Sequence, residues 1–325
     1  MVRREPGQGL LMQETPISER EVLAERLAVL GSPIAHSKSP AIHSAAYAAL
    51  ALDWEYERFR LEAPDLEAFL AAREPDWRGF SVTMPLKEEA HRLSTVLDPV
   101  AEESGVVNTL LRIASDASGA PRWAGFNTDV AGLAAAITDA GLDATSTVVL
   151  GSGATAVSAI LAARRLGAQH VEVVARNARA IGDLVARFGE SGEPGADRPL
   201  HVSGTVLPHV DALLDDAAIA AASEVDARIA RPTLIVSTLP GPATADLELP
   251  EAWTAIPLFD VAYDPWPSPL AARWRSVGGV ARAGTEMLVE QALVQVRVFA
   301  GGDPSIELDD EAAVRAAMRA ASVGG

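Results

Sequence analysis

Short apolar segments alternate with amphipathic ones along most of the chain. Residues 27–30 form a compact apolar run, residues 54–60 alternate with the two-residue period of a strand, and residues 77–82 are a third predicted strand. Segments with the period of a helix lie between them, at 41–50 and 65–73. This order of strand, helix and strand predicts a mainly parallel sheet that is covered by helices on both faces.

The same alternation continues to the end of the chain. Further predicted strands are 106–113, 122–126, 147–150, 171–174, 233–237 and 256–261, and further predicted helices are 129–140, 157–166, 283–300 and 309–321. We therefore expect an α/β protein of two domains. Residues 23–128 with the C-terminal helices in 287–325 form the first, residues 129–286 form a Rossmann-type second domain, and residues 1–22 are a disordered extension.

The composition limits the classes of partner. The chain has 325 residues, a formal net charge of −17 and no cysteine. The charge argues against nucleic acid and anionic membranes as partners, because their phosphates would be repelled over most of the surface. The absence of cysteine favours a reducing, cytoplasmic location, and the histidines lack metal-ligand spacing. We expect a small-molecule substrate, no metal, and a monomer or homodimer.

A glycine-rich turn follows the predicted strand 147–150. Residues 151–156 read Gly-Ser-Gly-Ala-Thr-Ala and lead directly into a helix. The two glycines let the backbone approach a pyrophosphate, which then lies at the helix N-terminus. This context favours a dinucleotide site, and the alternative is a plain turn between strand and helix.

The strand that comes next ends in two arginines. Arg176 and Arg179 stand where an NAD enzyme carries an acid for the ribose 2′-hydroxyl. Guanidinium groups without a carboxylate suit a 2′-phosphate, which predicts NADP as the cofactor. The alternative is that both arginines begin a solvated helix.

Lysine is rare in this chain. Of 27 cationic residues, Lys38 and Lys87 are the two lysines and all others are arginine. Lys87 follows the strand 77–82 and starts a helix, where open α/β sheets bind ligands. An ammonium group gives up a proton more readily than a guanidinium group, which makes Lys87 a candidate for proton transfer. The alternative is a lysine that lies by chance on a solvated face.

Asp129 begins the helix that joins the two predicted domains. An aspartate in this position is also a common helix cap. Ser37 and Ser39 precede the helix 41–50, where their hydroxyl groups would either hold a small carboxylate or cap the helix. The chain has three asparagines, and each lies in a candidate motif: Asn108, Asn127 and Asn177.

Taken together, these segments resemble the shikimate dehydrogenase family. The matches occur in the family's order from residue 27 to residue 300: Gly-Ser-Pro-Ile-Ala-His-Ser-Lys-Ser-Pro (31–40), Val-Thr-Met-Pro-Leu-Lys (82–87), Val-Asn-Thr-Leu (107–110), Asn-Thr-Asp (127–129), Gly-Ser-Gly-Ala (151–154), Ala-Arg-Asn (175–177), Tyr-Asp-Pro (263–265) and Met-Leu-Val-Glu-Gln-Ala (287–292). The resemblance implies a two-domain enzyme with its active site in the cleft. Such an enzyme reduces 3-dehydroshikimate to shikimate with NADPH, a step towards chorismate and the aromatic amino acids.

The resemblance also implies roles for individual residues. Lys87 and Asp129 match the catalytic pair, in which the lysine serves the ketone oxygen and the aspartate orients the lysine. Positions that match substrate contacts are Ser37, Ser39, Thr83, Asn108, Tyr263 and Gln291. Positions that match NADP contacts are Gly151, Ser152, Gly153, Ala154, Thr155, Arg176, Asn177, Arg179 and Gly284.

Three departures from the family pattern leave alternatives open. Ser81 replaces an asparagine near the substrate, Glu286 replaces a glycine, and a segment that usually reads Asn-Ala-Thr starts at Ser237. Ser81 keeps open a paralogue that acts on quinate, an aminoshikimate or another ring hydroxy acid. An alternative of another class is a non-catalytic NADP-binding module, against which Lys87 and Asp129 argue.

Overall fold

Two β-sheets organise the chain in the computed structural model of the protein. The structure describes residues 25–115, 117–191, 200–207 and 231–323. The extension predicted at 1–22 lies outside these ranges. Within them, no helix combines the length and the apolar character that crossing a bilayer requires.

Thirteen strands and ten α-helices occur in the described ranges. The strands are β1 Glu25–Gly31, β2 Trp54–Arg60, β3 Trp77–Val82, β4 Val96–Leu97, β5 Thr109–Ser115, β6 Pro121–Phe126, β7 Ser146–Leu150, β8 His170–Ala175, β9 Glu190–Ser191, β10 Leu200–Val206, β11 Leu234–Ser237, β12 Leu258–Asp260 and β13 Ala281–Ala283. The helices are α1 Ser39–Ala49, α2 Leu66–Ala71, α3 Lys87–Leu93, α4 Pro99–Ser104, α5 Asp129–Asp139, α6 Ala154–Arg165, α7 Ala178–Phe188, α8 Pro269–Ser276, α9 Thr285–Gly301 and α10 Glu311–Val323.

The first sheet has six strands in the order β2-β1-β3-β5-β6-β4. β1 is parallel to both β2 and β3, whereas β5 is antiparallel to its two neighbours. β5 is antiparallel to β6 because a short turn joins these strands, whereas a parallel pair needs a long crossover. The predicted mainly parallel sheet is confirmed, with β5 as its exception.

Helices cover both faces of the first sheet. On one face, α1 and the C-terminal helices α9 and α10 pack over Leu27 and Val29 of β1. On the other face, Phe80 and Leu110 contact Leu86, which precedes α3. Each of these fully buried apolar side chains stabilises the fold by roughly 1.5–3 kcal/mol. As predicted, helices from the C-terminal end of the chain pack on the first sheet and complete the core on that face.

The second sheet has seven strands in the order β13-β12-β11-β7-β8-β10-β9. Its ladders are parallel apart from the short β9 at one edge. β7, α6 and β8 form a strand–helix–strand unit, as the glycine-rich turn predicted. In this sheet β7 lies between β8 and β11, so the turn after β7 lies at the centre of the edge formed by the carboxyl ends of the strands.

The chain passes from one sheet to the other through α5 and α9, which cross at a glycine. A Cβ atom on Gly132 would lie 2.5 Å from the backbone nitrogen of Gln291, so no larger residue fits between these helices. This close approach brings Asp129, one turn earlier on α5, towards Gln291 on α9. The residue boundaries of the two domains, 23–128 with 287–325 and 129–286, stay a prediction.

Candidate active site

A cavity of about 590 Å³ lies where the carboxyl ends of the strands of both sheets meet. Residues after β1 and β3 line one side, and residues after β11, β12 and β13 line the other. The carboxyl ends of parallel strands are where α/β sheets bind ligands. Its volume suits a small organic molecule.

Lys87 and Asp129 form an ion pair in this cavity. The Lys87 Nζ atom donates a hydrogen bond of 2.5 Å to Asp129 Oδ2. Their side chains are 12% and 7% exposed, so water screens the pair little. Each is the first residue of its helix, α3 and α5, and the two approach because both helices begin at this edge of the sheets. The carboxylate bonds to neighbouring side chains instead of capping its own helix.

Asn108 holds the carboxylate of Asp129 from the opposite side. Its Nδ2 atom donates to Asp129 Oδ1 at 2.8 Å, and its Oδ1 atom accepts from the backbone N–H of Thr128 at 2.9 Å. A backbone N–H can only donate, so the orientation of the Asn108 amide is defined. Nδ2 also lies 3.3 Å from Gln291 Oε1. Both oxygen atoms of Asp129 thus have a donor, and the carboxylate is held in one orientation.

The second lysine of the chain has a different role. Lys38 Nζ donates a hydrogen bond of 2.8 Å to the carbonyl oxygen of Ser322, in the last turn of α10. The last carbonyl groups of a helix lack partners within it, so a cation there is stabilising. Lys38 therefore attaches α10 to the loop before α1 and does not line the cavity.

The other predicted substrate-binding residues also line the cavity. They are Ser37, Ser39, Thr83 and Tyr263, in addition to Asn108 and Gln291. The backbone N–H of Ser39 donates to Ser37 Oγ at 3.3 Å, so both serines lie at the first turn of α1. Burial raises the pKa of Tyr263, and this phenol keeps its proton for donation at neutral pH.

The predicted cofactor residues divide into three groups, of which the third follows β8. Thr155 and Gly284 line the cavity itself. Gly151 and Gly153 lie beside it, in the turn from β7 into α6, together with Ser152 and Ala154. Gly151 has φ of +119°, and a Cβ atom there would collide with the side chain of Thr238.

The first turn of α6 has the features of a pyrophosphate site. No side chain caps this helix, whose N-cap is Gly153, and no atom within 4 Å would meet a Cβ built on that glycine. The open space and the uncapped N–H groups fit an anion at the positive end of the helix. These residues therefore fit the phosphates of a dinucleotide.

Arg176 and Arg179 lie beyond the end of β8, with both side chains exposed. Between them, Asn177 caps α7, since its Oδ1 atom accepts from the backbone N–H groups of Arg179 and Ala180 at 3.1 and 3.2 Å. The two guanidinium groups are available to a ligand, and their chemistry fits a phosphate. None of these residues lines the cavity.

The three departures from the family pattern occupy different places. Ser81 is 4% exposed and lines the cavity. Glu286 lies in the first turn of α9 and pairs with Arg319 at 2.9 Å, and Ser237 is buried at the end of β11. Ser81 thus lines the cavity, and so do Thr238, Leu239 and Pro240, which follow Ser237 in the third departing segment.

The sequence indicated no role for Tyr56 and Gln295, and for His43 it favoured packing or hydrogen bonding. His43, Tyr56 and Gln295 lie between the first sheet and the helices α1 and α9. Gln295 follows Gln291 by four positions, so the spacing of an amphipathic helix could have placed both on one face of α9. His43 and Tyr56 come from separate elements, and no pattern in the sequence links them.

The burial of His43 predicts a pH-dependent stability. Burial lowers the pKa of His43 from 6.5 to about 3, partly offset by its hydrogen bond with Gln295. Between these values the unfolded chain binds a proton that the folded chain does not, so acidification from pH 6.5 towards pH 3 lowers the free energy of unfolding. One proton corresponds to a slope of about 1.4 kcal/mol per pH unit.

His43→Gln removes this contribution. Between roughly pH 4 and pH 6.5, where His43 changes its protonation on unfolding, the free energy of unfolding of the variant should depend less on pH than that of the wild type. Urea unfolding across this range measures the difference. His36→Gln, at an exposed histidine, is the control and should keep the wild-type slope. Parallel curves for His43→Gln and the wild type would contradict the assignment.

Comparisons with known proteins show which family the chain resembles. Residues 29–110 match the model of the shikimate dehydrogenase substrate binding domain. The chain is 31% identical over 287 residues to the shikimate dehydrogenase (NADP(+)) of Methanosarcina mazei, which covers 86% of this chain and 94% of the relative.

Solved structures are similar over almost the whole chain. Mycobacterium tuberculosis shikimate dehydrogenase has a TM-score of 0.70 and 35% identity, and the match covers 91% of this chain and 99% of that one. The Thermus thermophilus shikimate 5-dehydrogenase in complex with NADP(H) and shikimate has a TM-score of 0.69 and 27% identity, with the same coverage. The predicted fold class is confirmed, and the chain belongs to the shikimate dehydrogenase family.

Proposed function

We propose that this protein is an NADP-dependent shikimate dehydrogenase that reversibly reduces 3-dehydroshikimate to shikimate. The observation that carries the proposal is the 2.5 Å ion pair of Lys87 and Asp129 inside the cavity between the two sheets. The Methanosarcina mazei relative is named shikimate dehydrogenase (NADP(+)), and the Thermus thermophilus enzyme binds NADP(H) and shikimate in its structure. The product would enter chorismate and aromatic amino-acid biosynthesis.

Reduction of a ring ketone requires a proton on the oxygen. The ammonium group of Lys87 donates this proton and polarises the carbonyl before the transfer. Asp129 holds the ammonium group in place and, through its remaining lone pairs, accepts from a neighbouring ring hydroxyl. In the reverse direction, Lys87 takes the proton from the hydroxyl group that is oxidised.

The remaining cavity residues bind and orient the ring. Ser37 and Ser39, at the positive end of α1, bind the carboxylate with Tyr263 as a further donor. Thr83 and Gln291 bind the ring hydroxyls, next to Asn108. Several fixed contacts of this kind place the ketone against Lys87, and such positioning accounts for much of an enzyme's rate.

NADP would be held by the turn after β7 and by the residues that follow β8. The segment Gly151–Thr155 would hold the pyrophosphate, Arg176 and Arg179 would hold the 2′-phosphate, and Gly284, which lines the cavity, would contact the cofactor there. When bound, the cofactor supplies the hydride that adds to the carbonyl carbon.

Shikimate-dependent formation of NADPH by the purified wild-type protein tests the proposal. Quinate and an aminoshikimate, measured in parallel, test the alternative that Ser81 motivates. Faster oxidation of quinate than of shikimate would overturn the assigned substrate. Binding of NADP without turnover of any ring acid would favour a non-catalytic module instead.

Arg176→Ala is expected to weaken the binding of NADP far more than the binding of NAD. A hydrogen bond to a charged group contributes about 1.5–3 kcal/mol, which corresponds to roughly a 10- to 150-fold increase in the Kd for NADP. Calorimetric titration of both cofactors measures the effect. Arg275→Ala, at an exposed arginine of α8, is the control and should leave both Kd values unchanged. Equal losses for NADP and NAD would contradict the 2′-phosphate site.

The proposal also includes the organisation of the protein. Residues 23–128 with 287–325 bind the substrate, and residues 129–286 bind the cofactor. A cytoplasmic location suits a metabolic step of this kind. Sedimentation equilibrium will decide between the monomer and the homodimer.

A further inference from the structure

A cluster of buried polar side chains lies against the cavity, and the proposed mechanism makes no use of most of it. Its members are His43, Tyr47, Tyr56, Ser81 and Gln295, all between 0% and 9% exposed. Of these, Ser81 and Gln295 also line the cavity. The hydrogen bonds among them define which atoms donate and which accept.

The amide of Gln295 has a single possible orientation. One of its ends lies 3.1 Å from the backbone carbonyl oxygen of Asn108, and a carbonyl oxygen can only accept. This end is therefore the NH₂ group, which also donates to Thr109 Oγ1 at 3.0 Å. The Oε1 atom must then accept from both of its neighbours, His43 Nε2 at 3.1 Å and Ser81 Oγ at 2.7 Å.

The hydrogen bonds of His43 agree with this orientation of the Gln295 amide. The buried imidazole is neutral at physiological pH and carries one N–H group, which donates from Nε2 to Gln295. The other ring nitrogen, Nδ1, accepts from the hydroxyl group of Tyr47 at 3.2 Å. The ring of His43 also stacks on Tyr56, with 4.1 Å between centroids. The hydroxyl oxygen of Tyr56 also lies within hydrogen-bond distance of Ser81 Oγ. The 2.7 Å contact between Ser81 Oγ and Gln295 Oε1 nevertheless requires the proton of Ser81, because the amide oxygen has none.

The hydroxyl group of Ser81 consequently has one role left towards the cavity. Its single proton is donated to Gln295, and one of its two lone pairs accepts from the hydroxyl group of Tyr56 at 2.5 Å. One lone pair remains. Towards a ligand, Ser81 therefore accepts a hydrogen bond and cannot donate one.

We propose that Tyr56 and Gln295 are positioning residues that make Ser81 an acceptor-only group on the cavity wall, so that the site selects a substrate that presents a proton donor there. The inference rests on the proposed function, because the donor is a ring hydroxyl of the shikimate class. A ring amine donates as well and is accepted. A group without a proton, such as fluorine, is rejected although its size is close to that of a hydroxyl.

Ser81 differs from the usual asparagine in more than the missing amide group. An asparagine side chain offers donors and an acceptor, and it would tolerate either sense of hydrogen bond. Ser81, held by Tyr56 and Gln295, tolerates only the sense in which the ligand donates. Shikimate, quinate and an aminoshikimate all carry hydroxyl or amine protons, so this acceptor admits all three, whereas it rejects a ring ether or a ring ketone at the same place.

The experiment compares shikimate with analogues in which each non-reacting ring hydroxyl is replaced in turn by fluorine or by an amine. For one ring position, the wild type should prefer the hydroxyl and the amine over fluorine, and the preference should appear in KM. We expect Ser81→Ala to lower the hydroxyl-to-fluorine ratio of kcat/KM about 10-fold at that position, and Tyr56→Phe about 3-fold.

A double variant separates positioning from structural support. If Tyr56 acts through Ser81, Tyr56→Phe has no further effect on the ratio in the Ser81→Ala background. Tyr47→Phe loses a buried phenol hydroxyl of the same cluster without touching Ser81, and it should keep the wild-type ratio. Gln295→Glu is not needed for this cycle.

Two outcomes overturn the inference and a third concerns the proposed function. The inference fails if Ser81→Ala leaves every hydroxyl-to-fluorine ratio unchanged, or if the effects of Ser81→Ala and Tyr56→Phe add independently. In both cases the wild type still oxidises shikimate, so the proposed function stands. If the wild type turns over no member of the panel, the proposed function itself fails.

Discussion

Lys87→Ala is expected to lower kcat for shikimate oxidation by about 10²–10⁴-fold, the range that a positioned proton donor contributes. Among the described residues that line the cavity, Lys87 is the one lysine and none is an arginine. Alanine removes the proton donor and leaves Asp129 as an unpaired carboxylate that repels charge building up on the carbonyl oxygen. Initial rates of NADPH formation at saturating shikimate and NADP measure the loss.

Lys38→Ala is the matched control, because it removes the other lysine of the chain. Lys38 contacts the end of α10 and not the cavity, so kcat should change less than about twofold, the effect of an ordinary surface position. Circular dichroism shows whether both variants stay folded. If Lys87→Ala keeps more than roughly a tenth of the wild-type kcat, proton transfer must be assigned to another group.

Asp129→Asn is expected to lower kcat by about 10²–10³-fold, although the side chain keeps its size. Asp129 accepts from Lys87 at 2.5 Å and from Asn108 at 2.8 Å, one donor on each oxygen. An amide has one oxygen, so its NH₂ group must face either the ammonium group or the Asn108 amide, and one hydrogen bond is lost. The ammonium group is then free to turn away from the ketone.

The pair should behave as one unit in a double-variant cycle. Because Asp129 acts by holding Lys87, Asp129→Asn should reduce kcat little further in the Lys87→Ala background. Asp139→Asn is the control, since this exposed residue of α5 pairs with Arg319 at 2.8 Å, far along the helix from the cavity. Independent, multiplicative effects of the two substitutions would show that the residues act separately.

The elements were predictable where one local pattern decides them. β2 and β3 have their predicted bounds, Trp54–Arg60 and Trp77–Val82, and for β2 the two-residue period decides them. The direction of β5 was not predictable in the same way, because the direction of a strand depends on its neighbours and on the length of the connection. Short elements such as β4 and α4 carry too few residues to show a period.

The site was predictable to the extent that each residue belongs to a contiguous motif. Lys87 and Asp129 follow recognisable turns, and the fold brings those turns together. Tyr56, Ser81 and Gln295 are bonded across sequence separations of 25 and 214 residues, so their association depends on packing that no local pattern contains. Even so, Ser81 was noticed because it departs from a known pattern.

The scarcity of lysine has a practical consequence for chemical labelling. Reagents that acylate lysine side chains can modify two residues of the whole chain, Lys38 and Lys87. Lys38 donates a hydrogen bond to the last turn of α10, and Lys87 lies in the cavity. Coupling the protein to a dye or a resin through amines would therefore modify a residue with a defined role in either case. The exposed members of the 44 aspartate and glutamate residues offer attachment points that leave both lysines intact.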